Sequence, residues 1–487
     1  MSTSLILIVI ILFFVLLLCV SYFTSRKAKN ETFFTGNRRS PWYLVAFGMV
    51  GSTISGVTFI SVPGEVGNSA WTYFQFLLGN FVGYWVIAIV LIPLYYRLNL
   101  VSIYTYLEKR FGFCSYKTGS FFFLVSQTIG ASFRLFLAAG VLQFTFFDSL
   151  GIPFWVTVFL TLLFIWLYTH KAGIKTVVWT DSLQTIFIIG AVIFTIYTIL
   201  KQLDMGLGDM ITVINNHPYS HTFDWDWHSK TNFFKQFLAG LGIVIAINGL
   251  DQNMMQKNLT CKTKKESQKN MFWFSFAFLL ANLFFMALGV MLYYFAKQKG
   301  ISLPGRSDDL YPMLAVRYFG VTAGIFFLLG ILSAAYSSAD SALTALTTSF
   351  CIDILNVKPD SLKGKQTRKK VHIGFAVLLF IVIVIFRAIN NGSVVIAVFR
   401  AAGYTYGPLL GLFAFGLLCK REVKDRFVPY VCLLSPVLTY IISSHSKVWF
   451  GGYEFGFELL LLNAGLTYTG LLLLRQNKKY GHKRQTL

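Results

Sequence analysis

Long apolar stretches recur along the whole chain. Runs of about 20 apolar residues are long enough to cross a lipid bilayer as helices. The pattern predicts an all-α integral membrane protein with about 13 transmembrane helices. The predicted spans are 4–24, 42–66, 72–96, 118–147, 152–170, 181–202, 233–252, 270–296, 320–352, 370–387, 393–418, 427–444 and 456–475.

Two of these spans contain polar and glycine-rich interruptions. The second span carries glycines and hydroxyl side chains from Gly48 to Thr58, and the seventh ends in Asn248-Gly249-Leu250-Asp251-Gln252. Glycines of this kind also permit close helix packing. Broken helices at matching positions of two halves, however, are typical of an inverted repeat with its binding site at the breaks.

The two interrupted spans lie five spans apart and therefore run in opposite directions. This spacing predicts two repeats of five spans, flanked by peripheral helices. The predicted units are 1–41 (a peripheral helix and a cytoplasmic loop), 42–202 (the first repeat), 203–232 (an extracellular loop), 233–419 (the second repeat) and 420–487 (two peripheral helices and a basic cytoplasmic tail).

The positive charge of the chain follows its predicted topology. The sequence has 42 Lys and Arg against 20 Asp and Glu. If the N-terminus lies outside, 31 of those 42 basic residues fall in cytoplasmic segments, as the positive-inside rule expects. We therefore expect a multi-pass protein of the cell membrane with its C-terminus in the cytoplasm, surrounded by lipid and binding no nucleic acid.

Sequence motifs for enzymatic or ATP-driven chemistry are missing from the chain. It has no His-Glu-x-x-His, no Gly-x-x-x-x-Gly-Lys-[Ser/Thr] and no Gly-x-Ser-x-Gly. An enzyme is disfavoured because no nucleophile and base are paired in the sequence. A membrane sensor is the alternative of another class, and the lack of a signalling domain disfavours it.

The ninth span contains the most informative polar cluster, from Ser333 to Ser341. At 100° per residue, one side of this helix presents Ala334, Ser337, Ser338, Asp340 and Ser341. Hard oxygen ligands at membrane depth suit a small hard cation better than zinc or iron. The alternative is that each serine bonds back to its own helix.

A sodium ion at this face needs further oxygens. Carbonyl groups freed where the second span unwinds, at Gly51 and Ile54, can supply them. A membrane protein with such a site is expected to be an ion-coupled transporter that needs no cofactor besides Na⁺ as its coupling ion.

Two more charged residues lie within or beside the predicted spans. Asp181 opens the sixth span and could add a carboxylate to a second cation site with Asp340 and Ser341, or it could be a helix N-cap. Arg134 lies in the middle of the fourth span, where it needs an anionic partner. That partner is either a structural aspartate, Asp340 or Asp181, or the carboxylate of a bound solute.

Taken together, the motifs resemble the sodium/solute symporter family, which includes sodium-coupled proline, sugar, iodide and sialic acid carriers. The resemblance runs over nearly the whole length. The matching elements, in chain order, are Phe33-Phe34-x-Gly36-x-Arg38-Arg39-x-Pro41-Trp42, the stretch Gly51–Gly64, Trp179-Thr180-Asp181-x-x-Gln184, Asp251-Gln252-x-x-x-Gln256-Lys257, Ser337-Ser338 and Gly403-x-x-x-Gly407-Pro408-Leu409-Leu410-Gly411.

The resemblance implies a five-plus-five inverted-repeat core of the leucine-transporter type, with broken first helices. It also implies a sodium-coupled symporter that imports a small polar solute by alternating access. The first sodium site, called site 1 below, would be formed by Gly51, Ile54, Ala334, Ser337 and Ser338.

Similarity to the sialic acid carriers implies a second sodium site and a substrate pocket. The second site would be formed by Asp181, Ser337, Asp340 and Ser341, although Asp340 stands where a serine is expected. The pocket would be formed by Thr53, Ser55, Thr58 and Arg134. Leu77 stands where those carriers have a glutamine, and Gln75 lies two residues away as a candidate. The expected solute is sialic acid or another carboxylate, and a neutral sugar or polyol is the alternative.

Overall fold

The structure is a computed structural model of the full chain. The structure describes residues 3–26, 30–170, 173–357, 362–389 and 394–474. Apart from one isolated bridge between Ser40 and Cys261, these described residues form helices, turns and loops. The predicted basic tail from residue 475 onward lies outside the described residues.

Within the described residues, sixteen helices carry the architecture and are numbered here in chain order; shorter helical segments in the connections are not numbered. They are α1 (Thr3–Ser25), α2 (Trp42–Thr53), α3 (Gly56–Ser69), α4 (Tyr73–Val86), α5 (Phe113–Leu142), α6 (Phe154–Thr169), α7 (Ile174–Gln202), α8 (Phe233–Val244), α9 (Gln252–Asn258), α10 (Lys264–Gln298), α11 (Gly320–Ser349), α12 (Leu362–Ile389), α13 (Val394–Thr405), α14 (Gly407–Leu418), α15 (Val428–Trp449) and α16 (Leu459–Leu473).

The helices have the length and composition of membrane spans. Within the described residues, eight helices are long and apolar enough to cross a membrane, or up to ten if each of two bent pairs counts as one span. Two shorter apolar helices, α6 and α16, coincide with the predicted spans 152–170 and 456–475. Each predicted span therefore has a helical counterpart, with ends that differ by several residues.

The predicted breaks are present in both interrupted spans. The second span is divided between α2 and α3, where Ile54 and Ser55 leave helical geometry. The seventh is bent by 68° between the segment 233–249 and α9. Both breaks face the middle of the bundle, because α2 and α9 each pack against α11.

A third break, between α13 and α14, was not predicted. The two helices meet at 44° around Tyr406, and Pro408 occupies the first turn of α14. Proline has no N–H group and cannot bond to the carbonyl four residues earlier. The amide of Asn463 instead donates to the carbonyl oxygens of Gly403 (3.0 Å) and Tyr404 (2.9 Å). A side chain from α16 thus satisfies the backbone groups that the bend frees.

The helix α7 forms the central support of the bundle. It packs along α11 on one side and against α2 on another. These three helices carry the residues on which the predicted cation sites depend.

Candidate functional site

The break between α2 and α3 exposes backbone oxygens inside the bundle. In a continuous helix, the N–H of Ser55 would bond to the carbonyl of Gly51, but it donates instead to Thr53, at 2.9 Å. Among the described residues, no donor is seen for the carbonyl oxygens of Gly51 and Ile54. Both residues are buried. Because no donor is seen for them, these carbonyl oxygens are available to a ligand inside the bundle.

The serines of α11 lie against this break. Ser338 is buried, and its hydroxyl donates to the carbonyl oxygen of Ser52 at 3.4 Å, near the limit of a hydrogen bond. Ala334 and Ser337 lie on the same buried face. Neither serine hydroxyl bonds back to its own helix, since that of Ser337 donates to Asp181. The structure thus brings the oxygen-bearing face of α11 to the break.

A glycine allows α2 to approach α7 closely at this point. The backbone N–H of Gly51 donates to the hydroxyl of Thr185 at 3.1 Å. A methyl group at Gly51 would lie only 2.2 Å from that hydroxyl and 3.1 Å from the carbonyl oxygen of Asp181. Glycine is therefore required by packing at the last turn before the break, and Thr185 holds that turn in place.

Asp181 is not a helix N-cap. Helix α7 begins at Ile174, seven residues earlier, so Asp181 lies two turns inside it. Its carboxylate is fully buried and has two partners: the hydroxyl of Ser337 donates to Oδ1 at 2.5 Å, and Nζ of Lys257 lies 2.7 Å from Oδ2. Asp181 therefore joins α7 to both α11 and α9.

Asp340 lies in the same group but has different partners. Its Oδ2 accepts a hydrogen bond from the phenol of Tyr168 at 2.8 Å, and its Oδ1 accepts one from Ser341 at 3.1 Å. The four residues predicted for the second cation site are thus close together. Lys257 and Tyr168 also belong to this group.

The roles of Lys257 and Tyr168 were not predicted from the sequence. Lys257 counted among the basic residues of a predicted cytoplasmic loop, yet its side chain is only 1% exposed. The sequence feature that could have indicated this burial is the position of Lys257 just after the break of the seventh span. Tyr168, near the end of α6, has no distinguishing sequence pattern.

Arg134 pairs with neither of the aspartates proposed for it. Within the described chain, its guanidinium makes no ion pair, and its buried Nε has no hydrogen-bond partner. Asp251 and Tyr406 lie within electrostatic range of it. Arg134 is therefore a charge inside the bundle without a direct counter-ion.

The predicted substrate hydroxyls lie at the break between α2 and α3 and in the first turn of α3, which packs against α5, the helix of Arg134. A methyl group at Gly56, in the first turn of α3, would lie 3.7 Å from the carbonyl oxygen of Arg134. The hydroxyls of Ser55 and Thr58 have no hydrogen-bond partner among the described residues. The hydroxyl of Thr53 has only a weak contact, at 4.0 Å, with the sulfur of Met254.

Gln75 lies apart from this group. Its side-chain amide donates to the carbonyl oxygens of Thr72 (3.2 Å) and Thr231 (2.8 Å), and its Oε1 accepts from the N–H of Asp224 at 3.1 Å. These bonds anchor the loop 203–232. Because its amide nitrogen and oxygen are both engaged, we leave Gln75 out of the substrate pocket.

A further polar contact connects two of the helix breaks. Asp251 caps the start of α9 by accepting the N–H of Asn253 at 2.8 Å, and its other oxygen accepts a hydrogen bond from the phenol of Tyr406. The same phenol lies 3.3 Å from Oε1 of Gln127. Asp251 follows the break before α9, and Tyr406 stands between α13 and α14.

The bundle therefore has broken helices, free backbone oxygens and buried charges at one place in its interior. This arrangement is typical of secondary transporters, a class in which cation and solute sites lie at the breaks of helices. The sequence profile described as the Sodium:solute symporter family matches residues 33–425. The chain belongs to that family, and it is a sodium-coupled solute symporter rather than an enzyme.

Individual relatives agree with this assignment. The chain is 26% identical to the sodium/sialic acid symporter NanT of Aliivibrio fischeri, over 86% of this chain and 83% of that protein. It is 25% identical to the sodium/sialic acid symporter SiaT of Proteus mirabilis, over 83% of each chain. It is also 25% identical to the human sodium/iodide cotransporter, over 80% of this chain and 61% of that protein.

Solved structures show the same fold. A Na⁺-coupled sialic acid symporter in a substrate-bound, outward-open state superposes with a TM-score of 0.83, at 20% identity, covering 96% of this chain and 97% of that one. Mhp1, a nucleobase-cation-symport-1 family transporter, superposes with a TM-score of 0.55 at 13% identity, covering 91% and 93%. The inverted-repeat fold expected from the sequence is confirmed. The exact repeat boundaries stay a prediction.

Proposed function

We propose that the solute of this sodium-coupled symporter carries a carboxylate, and that Arg134 binds it. The observation that supports this is the guanidinium in the interior of the bundle, which makes no ion pair with any described residue and whose Nε has no hydrogen-bond partner there. An arginine at membrane depth is costly unless an anion accompanies it. Its planar fork suits a carboxylate, which it can bind through two parallel hydrogen bonds.

The hydroxyls predicted for the pocket, beside a helix segment that packs against the helix of Arg134, favour a solute that also has hydroxyl groups. Among the described residues, the hydroxyls of Ser55 and Thr58 have no partner, and that of Thr53 has only its weak contact with Met254. A sugar acid combines a carboxylate with several hydroxyls, which matches this set. Two relatives are named as sialic acid symporters, so sialic acid is the first sugar acid to test.

For the coupling ion, we propose a sodium site formed by the backbone oxygens of Gly51, Ile54 and Ala334 and the hydroxyls of Ser337 and Ser338. Bound sodium would join α2 to α11 and hold the two sides of the broken helix in the shape that the solute requires. We further propose that the N-terminus lies outside the cell and the C-terminus in the cytoplasm, because this orientation agrees with the basic loops. Sodium and solute would then enter together by alternating access.

A neutral sugar or polyol is the second candidate. It requires Arg134 to be neutralised by the protein, and Asp251 is the carboxylate in electrostatic range. Asp251 is already bonded to Tyr406 and to the backbone of α9. A neutral solute would leave the guanidinium without a direct counter-ion, so the carboxylate-bearing solute is preferred.

The test is uptake of labelled sugar acids and sugars by proteoliposomes with and without sodium. Arg134→Lys should weaken uptake of an acid because the bidentate fork is lost. Arg134→Ala should lose about 2–5 kcal/mol of binding, the usual cost of removing one partner of a desolvated pair. Arg400→Lys, at an exposed arginine of α13, is the matched control and should behave as the wild type.

Esterifying the solute carboxylate completes the experiment. The ester should bind the wild type as weakly as the acid binds Arg134→Ala, and it should bind that variant no worse than the acid does. If Arg134→Ala is instead destabilised and is restored by adding Asp251→Asn, while a neutral solute is still transported, the carboxylate proposal is refuted. Sodium coupling would remain.

A further inference from the structure

The predicted second sodium site already contains a positive charge supplied by the protein, the ammonium of Lys257. Nζ of Lys257 lies 2.7 Å from Oδ2 of Asp181, and each side chain is only 1% exposed. Ser337 donates to the other carboxylate oxygen. We propose that the Lys257 ammonium occupies the second cation position permanently, so that the protein binds one sodium ion. This inference deepens the proposed function and depends on sodium binding at site 1.

Lys257 is held in this position by the fold. It lies on α9, whose direction is set by the 68° bend after the segment 233–249. Its neighbour Gln256 donates to the carbonyl oxygen of Phe34 at 2.7 Å and to the hydroxyl of Thr348 at 3.1 Å. The carbonyl of Lys257 accepts the hydroxyl of Thr260 at 2.7 Å. The lysine is therefore fixed by its backbone and by its neighbours.

The ammonium of Lys257 occupies the position that a second sodium ion would need at Asp181. In the described part of the chain, Lys257 makes the only ion pair with Asp181, whereas Asp340 has hydrogen bonds from Tyr168 and Ser341. Both oxygens of Asp181 already have a donor, Lys257 on Oδ2 and Ser337 on Oδ1. A sodium ion bound to Asp181 would stand in contact with the ammonium and be repelled by it, so it could bind there only in place of the ammonium.

Removal of the ammonium should create a sodium site. The oxygens that remain belong to Asp181, Asp340, Ser337 and Ser341, which is a set of hard ligands suited to a small cation. The substitution Lys257→Met keeps an unbranched side chain of similar length and removes the charge. Sodium would then replace the missing positive charge beside Asp181.

The experiment counts bound sodium on the purified full-length protein, with ²²Na⁺ and no solute present. We expect one ion per wild-type protein and two per Lys257→Met protein. Lys257→Arg keeps the positive charge and should bind one. Lys235→Met is the matched control, because Lys235 is also largely buried but contacts the ring of Tyr453, at 4.2 Å, rather than a carboxylate. It should bind one.

Two bound ions in the wild type would overturn the proposal, as would a single ion in a correctly folded Lys257→Met protein. No bound ion in the wild type would refute site 1 and this inference with it, whatever the solute. If Lys257→Met does not fold, the steepness of the rise in wild-type melting temperature with sodium concentration decides. A dependence of the melting temperature on sodium concentration that corresponds to one bound ion supports the proposal, and a dependence that corresponds to two bound ions contradicts it.

Discussion

The two serines of α11 should have separable effects on stability and sodium binding. Ser337 donates a hydrogen bond to the buried carboxylate of Asp181 at 2.5 Å. A hydrogen bond to a charged group contributes about 1.5–3 kcal/mol, so Ser337→Ala should lower the free energy of unfolding by that amount without sodium. Ser338 bonds to Ser52 at 3.4 Å, and Ser338→Ala should change the stability of the sodium-free protein little.

Both substitutions should weaken sodium binding. Each removes one neutral oxygen from the proposed site, for which we take about 1.4 kcal/mol, or a factor of about ten in affinity. The double variant should therefore lose a factor of about 100 if the two losses add. The volume change is small, so a general loss of folding is not expected.

The assay is thermal unfolding of the purified protein over a series of sodium concentrations, with no solute added. It reports the stability of the sodium-free protein and the sodium affinity together, since a ligand stabilises the state it binds. Ser120→Ala is the matched control: Ser120 is buried but bonds to Tyr116 within its own helix α5. An unchanged sodium affinity in the double variant would eliminate site 1 as proposed.

Two further substitutions test the packing around the helix breaks. Gly51→Ala places a methyl group 2.2 Å from the hydroxyl of Thr185, so it should cost about 1–3 kcal/mol of stability and reduce sodium binding. Adding Thr185→Ala removes that clash but also the hydroxyl that accepts the N–H of Gly51, so it should restore part of the stability and of the sodium binding; the absence of any rescue would contradict the packing argument. Tyr406→Phe removes the hydrogen bond to Asp251 and should cost about 1.5–3 kcal/mol in thermal unfolding. Tyr440→Phe, at an exposed position, should have no effect, and equal melting temperatures for both phenylalanine variants would contradict the importance of the contact.

The helices and the first two breaks could be predicted because they depend on local composition. Long apolar runs specify spans, and the glycines and hydroxyls from Gly48 to Thr58 cannot form a plain lipid-facing helix. The break at Tyr406 was missed although Gly407 and Pro408 were visible in the sequence. Its backbone groups are satisfied by Asn463, a residue more than 50 positions away, and no local pattern indicates that contact.

The partners of the buried charges could not be predicted for a similar reason. Arg134 was expected to need an anion, and both Asp181 and Asp340 were available in the sequence. The bend before α9 decides the pairing, because it brings Lys257 to Asp181, while Tyr168 reaches Asp340 from α6. Pairing inside a bundle depends on helix angles, which the hydrophobic pattern does not specify.

The hydrogen bond between Tyr406 and Asp251 makes two hinges dependent on each other. Asp251 stands at the bend before α9, and Tyr406 stands at the bend between α13 and α14. Rotation of either segment alone would leave a buried carboxylate without one of its donors, which is costly. Intermediates with a single hinge displaced are therefore disfavoured, and the two segments should change position as one cooperative step.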